Sequence, residues 1–259
     1  MVIAVDNSPD LWRTSLPNPA PDGHKYQRGH TAIFGSAHYT GATRLAAEAC
    51  SRIGSGLVSV MSEDQANVYR MTLPPDIMVS EQGLSSLNKV STLLAGPGGC
   101  SDAQAEALCA ADPNIDLILD ADAIRLWPQL NDRRMIVTPH EGEFTRYFGA
   151  LGDQVHAQVS AASAKSGAII VLKRAETIIA SPDGRIITNK VASRYLAKAG
   201  TGDVLAGLIA GLVAQGMKGI SAACAAVWLH GIASERIGPG LVPQDIFPFI
   251  RPLLRELLL

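Results

Sequence analysis

Cysteine is scarce and unpatterned. Four residues, Cys50, Cys100, Cys109 and Cys224, are spread over 259 positions with no CxxC pair and no Cys/His metal spacing. That argues against a disulfide framework or a zinc site and fits a reducing, cytoplasmic setting. Three of the four fall in alanine-rich helical patterns and read as plain core residues. An excess of one charge is missing too: 24 acidic residues face 22 basic ones, for a net charge of −2. Such a chain has no electrostatic footprint for nucleic acid or an anionic membrane, so any anionic ligand must be held locally by backbone and a few placed cations. No apolar run approaches the ~20 residues a spanning helix needs. The start, Met1-Val-Ile-Ala-Val-Asp6, is too short and too soon acidic for a signal peptide.

Hydrophobic residues, at 47%, are ample for a core. Residues 1–24, with Pro9, Pro17, Pro19 and Pro21, read as an extended surface arm without regular structure, anchored by Trp12 and Leu16. Residues 25–259 read as a single domain. Short apolar strands (31–34, 57–61, 77–79, 92–95, 116–119, 135–137, 168–172) alternate with small-residue helices, among them one with apolar Ala42, Leu45, Ala46, Ala49 and Ile53 at helical spacing. Segments 177–180 and 185–188 flank Ser181-Pro-Asp-Gly184, a hairpin signature. Strand–helix alternation of this kind implies a three-layer α/β/α architecture with a mainly parallel central sheet.

Polar punctuation follows the strands: Gly96-Pro-Gly-Gly99, Asp120-Ala-Asp122, Thr138-Pro-His-Glu-Gly-Glu143 and Lys173-Arg-Ala-Glu-Thr177. In open parallel sheets the strands' C-terminal edge is where ligands bind. The fullest stretch is Lys198-Ala-Gly-Thr-Gly-Asp-Val-Leu-Ala-Gly207, a glycine-rich turn running into an apolar helix. Helix starts and glycines together suit a phosphate. An acid there repels one, so Asp203 is either a helix cap or a base for a hydroxyl beside the phosphate. The small residues Ala206, Gly207, Ala210, Gly211 and Ala214 make sense if another backbone packs against this helix.

These motifs, with Tyr39-Thr-Gly-Ala42, Val171-Leu-Lys173 through Thr177, Trp228-Leu-His-Gly231 and Gly238-Pro-Gly240, resemble in order the ADP- or ATP-dependent NAD(P)H-hydrate dehydratases of the ribokinase-like superfamily. The resemblance runs from about Lys25 to the end of the chain. It implies a cytoplasmic enzyme that phosphorylates the C6 hydroxyl of the S epimer of NADH or NADPH hydrate from ADP and then expels phosphate, leaving NAD(P)H and AMP. By that resemblance Asp203 is the base, and the N–H groups of Gly200, Thr201 and Gly202 form an anion hole. Ala42, Gly98, His140 and Asp203 bind the hydrate. Lys173, Arg174, Ala175, Glu176 and Thr177, with Gly202, bind the nucleotide. It further implies Mg²⁺ carried by the phosphates, a homo-oligomer of four or more chains, and fusion to or cooperation with an NAD(P)H-hydrate epimerase. The chain is expected either to stand alone or to be the C-terminal part of such a fusion. No residue reads as a metal ligand.

Each assignment has a plainer counterpart. His140 could cap the helix after it, Asp120 and Asp122 could simply turn the chain, Lys173 could be a solvated strand-end lysine, and His230 reads as a satisfied core histidine. A kinase of the same fold acting on a small alcohol, or an inactive nucleotide-binding relative, is the alternative function. Two departures stand out. Phe34-Gly-Ser36 replaces the family's Gly-Gly-Ser, and Lys173-Arg174 replaces its Lys-Gly, so Arg174 either crowds the nucleotide or adds a phosphate contact.

Overall fold

The computed structural model describes residues 4–259. Ten strands form one sheet: β1 (Ala4–Asp6), β2 (His30–Phe34), β3 (Leu57–Met61), β4 (Met78–Ser80), β5 (Thr92–Ala95), β6 (Asp116–Leu119), β7 (Met135–Val137), β8 (Ile169–Leu172), β9 (Thr177–Ala180) and β10 (Ile186–Asn189). Their order is β1-β10-β9-β8-β7-β6-β5-β2-β3-β4. Only β9 runs against the rest, because the Ser181–Gly184 turn folds it onto β10 as a hairpin. The helices are α1 (Thr40–Arg52), α2 (Ala66–Thr72), α3 (Asp102–Cys109), α4 (Glu141–Phe148), α5 (Val155–Ser166), α6 (Thr201–Ala214), α7 (Gly219–Ile237) and α8 (Phe247–Leu258). The short α2 has no sequence expectation behind it.

Successive strand residues point to opposite faces, and both faces are covered. Ile33, Val60, Leu94, Ile118, Ile136 and Val171 pack with α1, α6, α7 and α8. Phe34, Leu93, Leu117, Leu119, Val137 and Leu172 pack with Leu108, Phe144 and Val159 of α3, α4 and α5. The three-layer, mainly parallel architecture is therefore as the alternation implied.

The N-terminal arm differs from expectation. Trp12 and Leu16 are buried anchors, but Ala4–Asp6 is a strand, paired in parallel with β10. Asn7 then ties the arm inward, donating from Nδ2 to Asn189 Oδ1 (2.8 Å) and the Cys224 carbonyl (2.9 Å) while its Oδ1 accepts from Trp12 Nε1 (3.0 Å). Cys50 and Cys224 are core residues, but Cys109 is exposed, on the outer side of the amphipathic α3. His230 is buried, yet among the described residues its Nε2 has no hydrogen-bond partner, so it is a core histidine as expected but not a fully satisfied one.

Helix α6 carries the small-residue seam. A Cβ on Gly207 would lie 2.2 Å from the Ala46 carbonyl oxygen of α1, and one on Gly211 would lie 2.3 Å from Ile53 Cγ2. The two backbones are in contact. Their N-termini, the Tyr39–Ala42 loop and the Gly200–Asp203 turn, both open at the C-terminal edge of the sheet.

Candidate active site

Four strand ends build the floor. After β5, Gly96 (φ 113°) lets the chain pass so close to Asp120 that a Cβ there would fall 1.8 Å from the Asp120 carbonyl oxygen. After β6, Asp120 is buried, at 4% exposure. Its Oδ1 accepts from Thr138 Oγ1 (2.6 Å), at the end of β7, and from Lys173 Nζ (2.8 Å), at the end of β8. His140 and Lys173 are themselves bridged as neighbours across this edge.

Ser36, two residues past β2, binds the wall on one side. Its Oγ donates to the Gly98 carbonyl (2.7 Å) and accepts from the Tyr39 N–H (2.9 Å). Thr43 of α1 reinforces the link, donating to the Pro97 carbonyl at 3.1 Å. Gly98 (φ 85°) has no room for a side chain, since a Cβ would meet the Tyr39 carbonyl at 2.6 Å. Ala42 lies in the first turn of α1, and its N–H is engaged by that Tyr39 carbonyl (3.1 Å). A cleft of ≈ 720 Å³ opens here, lined by Ser36, Tyr39, Gly98, Gln104 and Asp122. Phe34, in place of the family's glycine, is the buried last residue of β2 and leaves the Ser36 contacts intact.

On the other side, Lys173–Thr177 is the reverse turn joining β8 to β9. Arg174, Ala175 and Glu176 are exposed, and Thr177 is buried as the first residue of β9. A cavity of ≈ 600 Å³ lies between this turn and His140, Glu141 and Gly142. Arg174 Nε reaches Glu141 Oε1 at 3.1 Å, which directs the guanidinium along the start of α4. His140 is an N-cap as well as a cavity residue. Its Nδ1 accepts from the N–H groups of Gly142 (3.0 Å) and Glu143 (3.2 Å), so the proton sits on Nε2.

The start of α6 closes the site. Gly200 takes the cap position with φ 96°, and no side chain caps the helix. Asp203 is therefore not there as a cap. The Thr201 hydroxyl donates to the Leu196 and Lys198 carbonyls (2.7 and 2.8 Å), and its N–H faces the Lys198 carbonyl at 3.4 Å. The N–H groups of Gly200, Gly202 and Asp203 have no acceptor among the described residues. A Cβ on Gly202 would sit 3.4 Å from Lys173 Nζ, so this turn and the lysine are adjacent.

Burial, and then the nearby charge of Asp120, push the Asp203 carboxyl up to about 7, with Lys173 pulling the other way. Burial alone would lower the Lys173 ammonium, but Asp120, then Glu143 and Asp203, outweigh it and leave the pKa above the ordinary value. Burial lowers His230 to about 4, keeping it neutral. A carboxyl titrating near neutrality beside unpaired N–H groups can accept a proton from a bound hydroxyl while the amides hold an anion.

The site thus gathers Asp203, Gly200, Gly202, Lys173 and His140 at one edge, with Ala42 and Gly98 in the neighbouring wall. Sequence reasoning passed over Asp120 and Ser36. The only signal for Asp120 was its place in the row of strand-end motifs.

A profile of the NAD(P)H-hydrate dehydratase family matches residues 31–242. The chain belongs to the NAD(P)H-hydrate dehydratase family. It is 36% identical over 265 residues to the ADP-dependent (S)-NAD(P)H-hydrate dehydratase of Neisseria meningitidis, covering 90% of this chain and 87% of that one. It is 34% identical over 267 residues to the bifunctional NAD(P)H-hydrate repair enzyme Nnr of Methanopyrus kandleri, covering 95% of this chain but 52% of the relative, so it spans about half that protein's length. Among solved structures, the ADP/ATP-dependent NAD(P)H-hydrate dehydratase from Bacillus subtilis, co-crystallised with ATP and Mg²⁺, superposes with a TM-score of 0.86 at 25% identity, covering 99% of this chain and all of that one. A ribokinase-like superfamily protein from Enterococcus faecalis superposes with a TM-score of 0.84 at 27% identity, covering 98% of this chain and 96% of that one, and this chain shares its ribokinase-like fold. No helix among the described residues is long and apolar enough to cross a membrane.

Proposed function

We propose that this dehydratase-family chain restores NADH and NADPH from the S epimer of their hydrates, consuming ADP and releasing AMP and phosphate. The observation that carries the reading is the uncapped, partly desolvated Asp203 carboxyl beside the free N–H groups of the α6 start. Asp203 takes the proton from the C6 hydroxyl as that oxygen attacks the β-phosphorus of ADP, and the bond to the AMP oxygen breaks. The N–H groups of Gly200, Gly202 and Asp203 hold the transferring phosphoryl group, while that of Thr201, expected in the same anion hole, is engaged by the Lys198 carbonyl. Loss of phosphate from C6 and of a proton from C5 then forms the ring double bond. Gly98 in the 720 Å³ cleft, with Ala42 and with His140 of the neighbouring cavity, holds the nicotinamide hydrate, and Lys173–Thr177 hold the adenine nucleotide.

Arg174 supports neither a clash nor a phosphate grip, because its pairing with Glu141 draws it along α4. Magnesium, which nucleotide chemistry implies, screens phosphate charge when bound. Among the described residues no group of three or more His, Cys, Asp and Glu side chains forms. A kinase that stops at phosphorylation is the competing reading.

One assay separates them. The protein is mixed with chemically hydrated NADH, Mg²⁺ and ADP, and the dihydronicotinamide absorbance is followed. Return of that absorbance with stoichiometric AMP supports the dehydratase, and AMP release without it supports the kinase. The Asp203→Asn variant should bind ADP and lose at least ~10²-fold in turnover, the range for removing a general base.

A further inference from the structure

Asp120 sits at the end of β6 and was expected only to turn the chain. Three observations say it does more. It is buried at 4% exposure although it carries a charge, and burying a carboxylate is costly unless it is paired. Its pairing is specific: Oδ1 takes both Thr138 Oγ1 and Lys173 Nζ, at 2.6 and 2.8 Å, from the ends of two other strands. The backbone around it is also held in an unfavourable form. Ala121, the next residue, has φ 46°, and the close approach of Gly96 fixes the Asp120 carbonyl. Strain at a non-glycine residue persists only where neighbours over-determine it, and it gathers at functional sites.

The lysine that Asp120 holds does not point to solvent. A Cβ added to Gly202, at the start of α6 where N–H groups lie free, would meet its Nζ at 3.4 Å, so the ammonium stands beside that turn. Lysine is a flexible four-carbon chain that would otherwise lose rotamer freedom at every turnover. A salt bridge anchored by a third group, the Thr138 hydroxyl, fixes it in advance.

We propose that Asp120 is a positioning residue that tethers the Lys173 ammonium between the free N–H groups of the α6 start and the Asp203 carboxylate. There one cation faces both the transferring phosphoryl group and the base. This rests on the proposed reaction for its catalytic part, but the tether itself is a property of the unliganded chain. The charged and titratable groups around Lys173 are Asp120 from β6, Glu143 from α4, Asp203 from α6 and His230 from α7. Those acting on Asp203 are Asp120 and Lys173.

Two substitutions pull the arrangement in opposite directions. Asp120→Asn keeps an acceptor for Thr138 but removes the negative charge, so Asp203 should titrate lower than in the wild type. Lys173→Gln removes the cation and leaves Asp120 charged, so Asp203 should titrate higher than in the wild type. The readout is the ¹³C shift of the Asp203 carboxyl against pH in the full-length protein, assigned by its absence in Asp203→Asn. A variant that merely loosened the fold would not give opposite shifts.

In the absorbance assay, the acid limb of kcat/KM, which reports ionisation of the base, should move down in Asp120→Asn while kcat falls ~10- to 100-fold, on the scale of one displaced catalytic group. If Asp120→Asn does not fold, an Asp203 titration unchanged in Lys173→Gln still overturns the proposal, because an ammonium fixed beside that carboxyl cannot be removed without effect. An Asp203 titration unchanged in both variants would overturn the tether. Opposite shifts in a protein that never regenerates NADH would uphold the tether and overturn the reaction. Opposite shifts with an unchanged kcat in Asp120→Asn would overturn the catalytic part of the proposal.

Discussion

Replacing Asp203 by asparagine tests the site through stability, before any substrate is added. The folded pKa of about 7 lies above the ordinary 3.8, so the folded chain favours the protonated form. The stability contributed by this group is fully present below pH 3.8 and is lost as pH rises to about 7. Each unit is worth ~1.4 kcal/mol, so the shift has an upper limit of ~4 kcal/mol, of which ~3 falls between pH 5 and pH 8. Residual solvent contact in the open cleft lowers the expected figure to ~2 kcal/mol. Asparagine carries no charge at any of these pH values. Urea unfolding at pH 5 and pH 8 should show the variant gaining ~2 kcal/mol on the wild type over that interval, or about 4 °C in Tm for a chain of this length. Parallel stability curves for the two proteins would refute the argument that Asp203 is held against ionisation. A variant that is more stable at pH 8 and inactive is the usual sign of a site that trades stability for function.

Further outcomes follow from packing and from the cleft. Gly207→Ala should lower stability by ~3 kcal/mol in urea, because the clash with Ala46 outweighs the ~1 kcal/mol that alanine adds to helix propensity. A stabilised variant would mean α1 and α6 can part. Trp12→Ala should cost ~3–5 kcal/mol, from the buried ring and the Asn7 oxygen it leaves unpartnered, and a loss below ~1 kcal/mol would show the arm to be dispensable to the fold. Arg174→Gly should change the KM for ADP by less than ~3-fold, since an exposed pair with Glu141 is worth little. A tenfold rise would show that Arg174 leaves Glu141 to grip phosphate.

Much of the layering was legible in the sequence. The strands are short apolar runs because both faces are covered, and the hairpin that reverses β9 is written in Ser-Pro-Asp-Gly. Strand β1 was not legible: three residues ahead of a proline-rich stretch carry no periodicity, and only pairing with β10, some 180 positions on, makes them a strand. The glycine-rich start of α6 announced an anion site, and the cap reading of Asp203 falls only on the observation that, among the described residues, no side chain caps that helix. Asp120 was hidden for a related reason. Acids at strand ends commonly turn the chain, and what distinguishes this one is a lysine 53 positions away that local sequence cannot bring to it. His140 does cap α4 through Nδ1, as its plainer reading had it, and it lines the cavity beside the Lys173 turn as well.

The contact of α1 with α6 has a mechanical consequence. Soft side chains usually lie between helices and absorb small displacements, but at Gly207 the nearest group across the seam is the Ala46 carbonyl of the α1 backbone. Four residues of rise, ~6 Å, separate Gly207 from Asp203, so the two helix starts share one rigid mount. Whatever moves the Tyr39–Ala42 segment must carry the Gly200–Asp203 turn with it, and the spacing of these two helix starts is set by a seam remote from both.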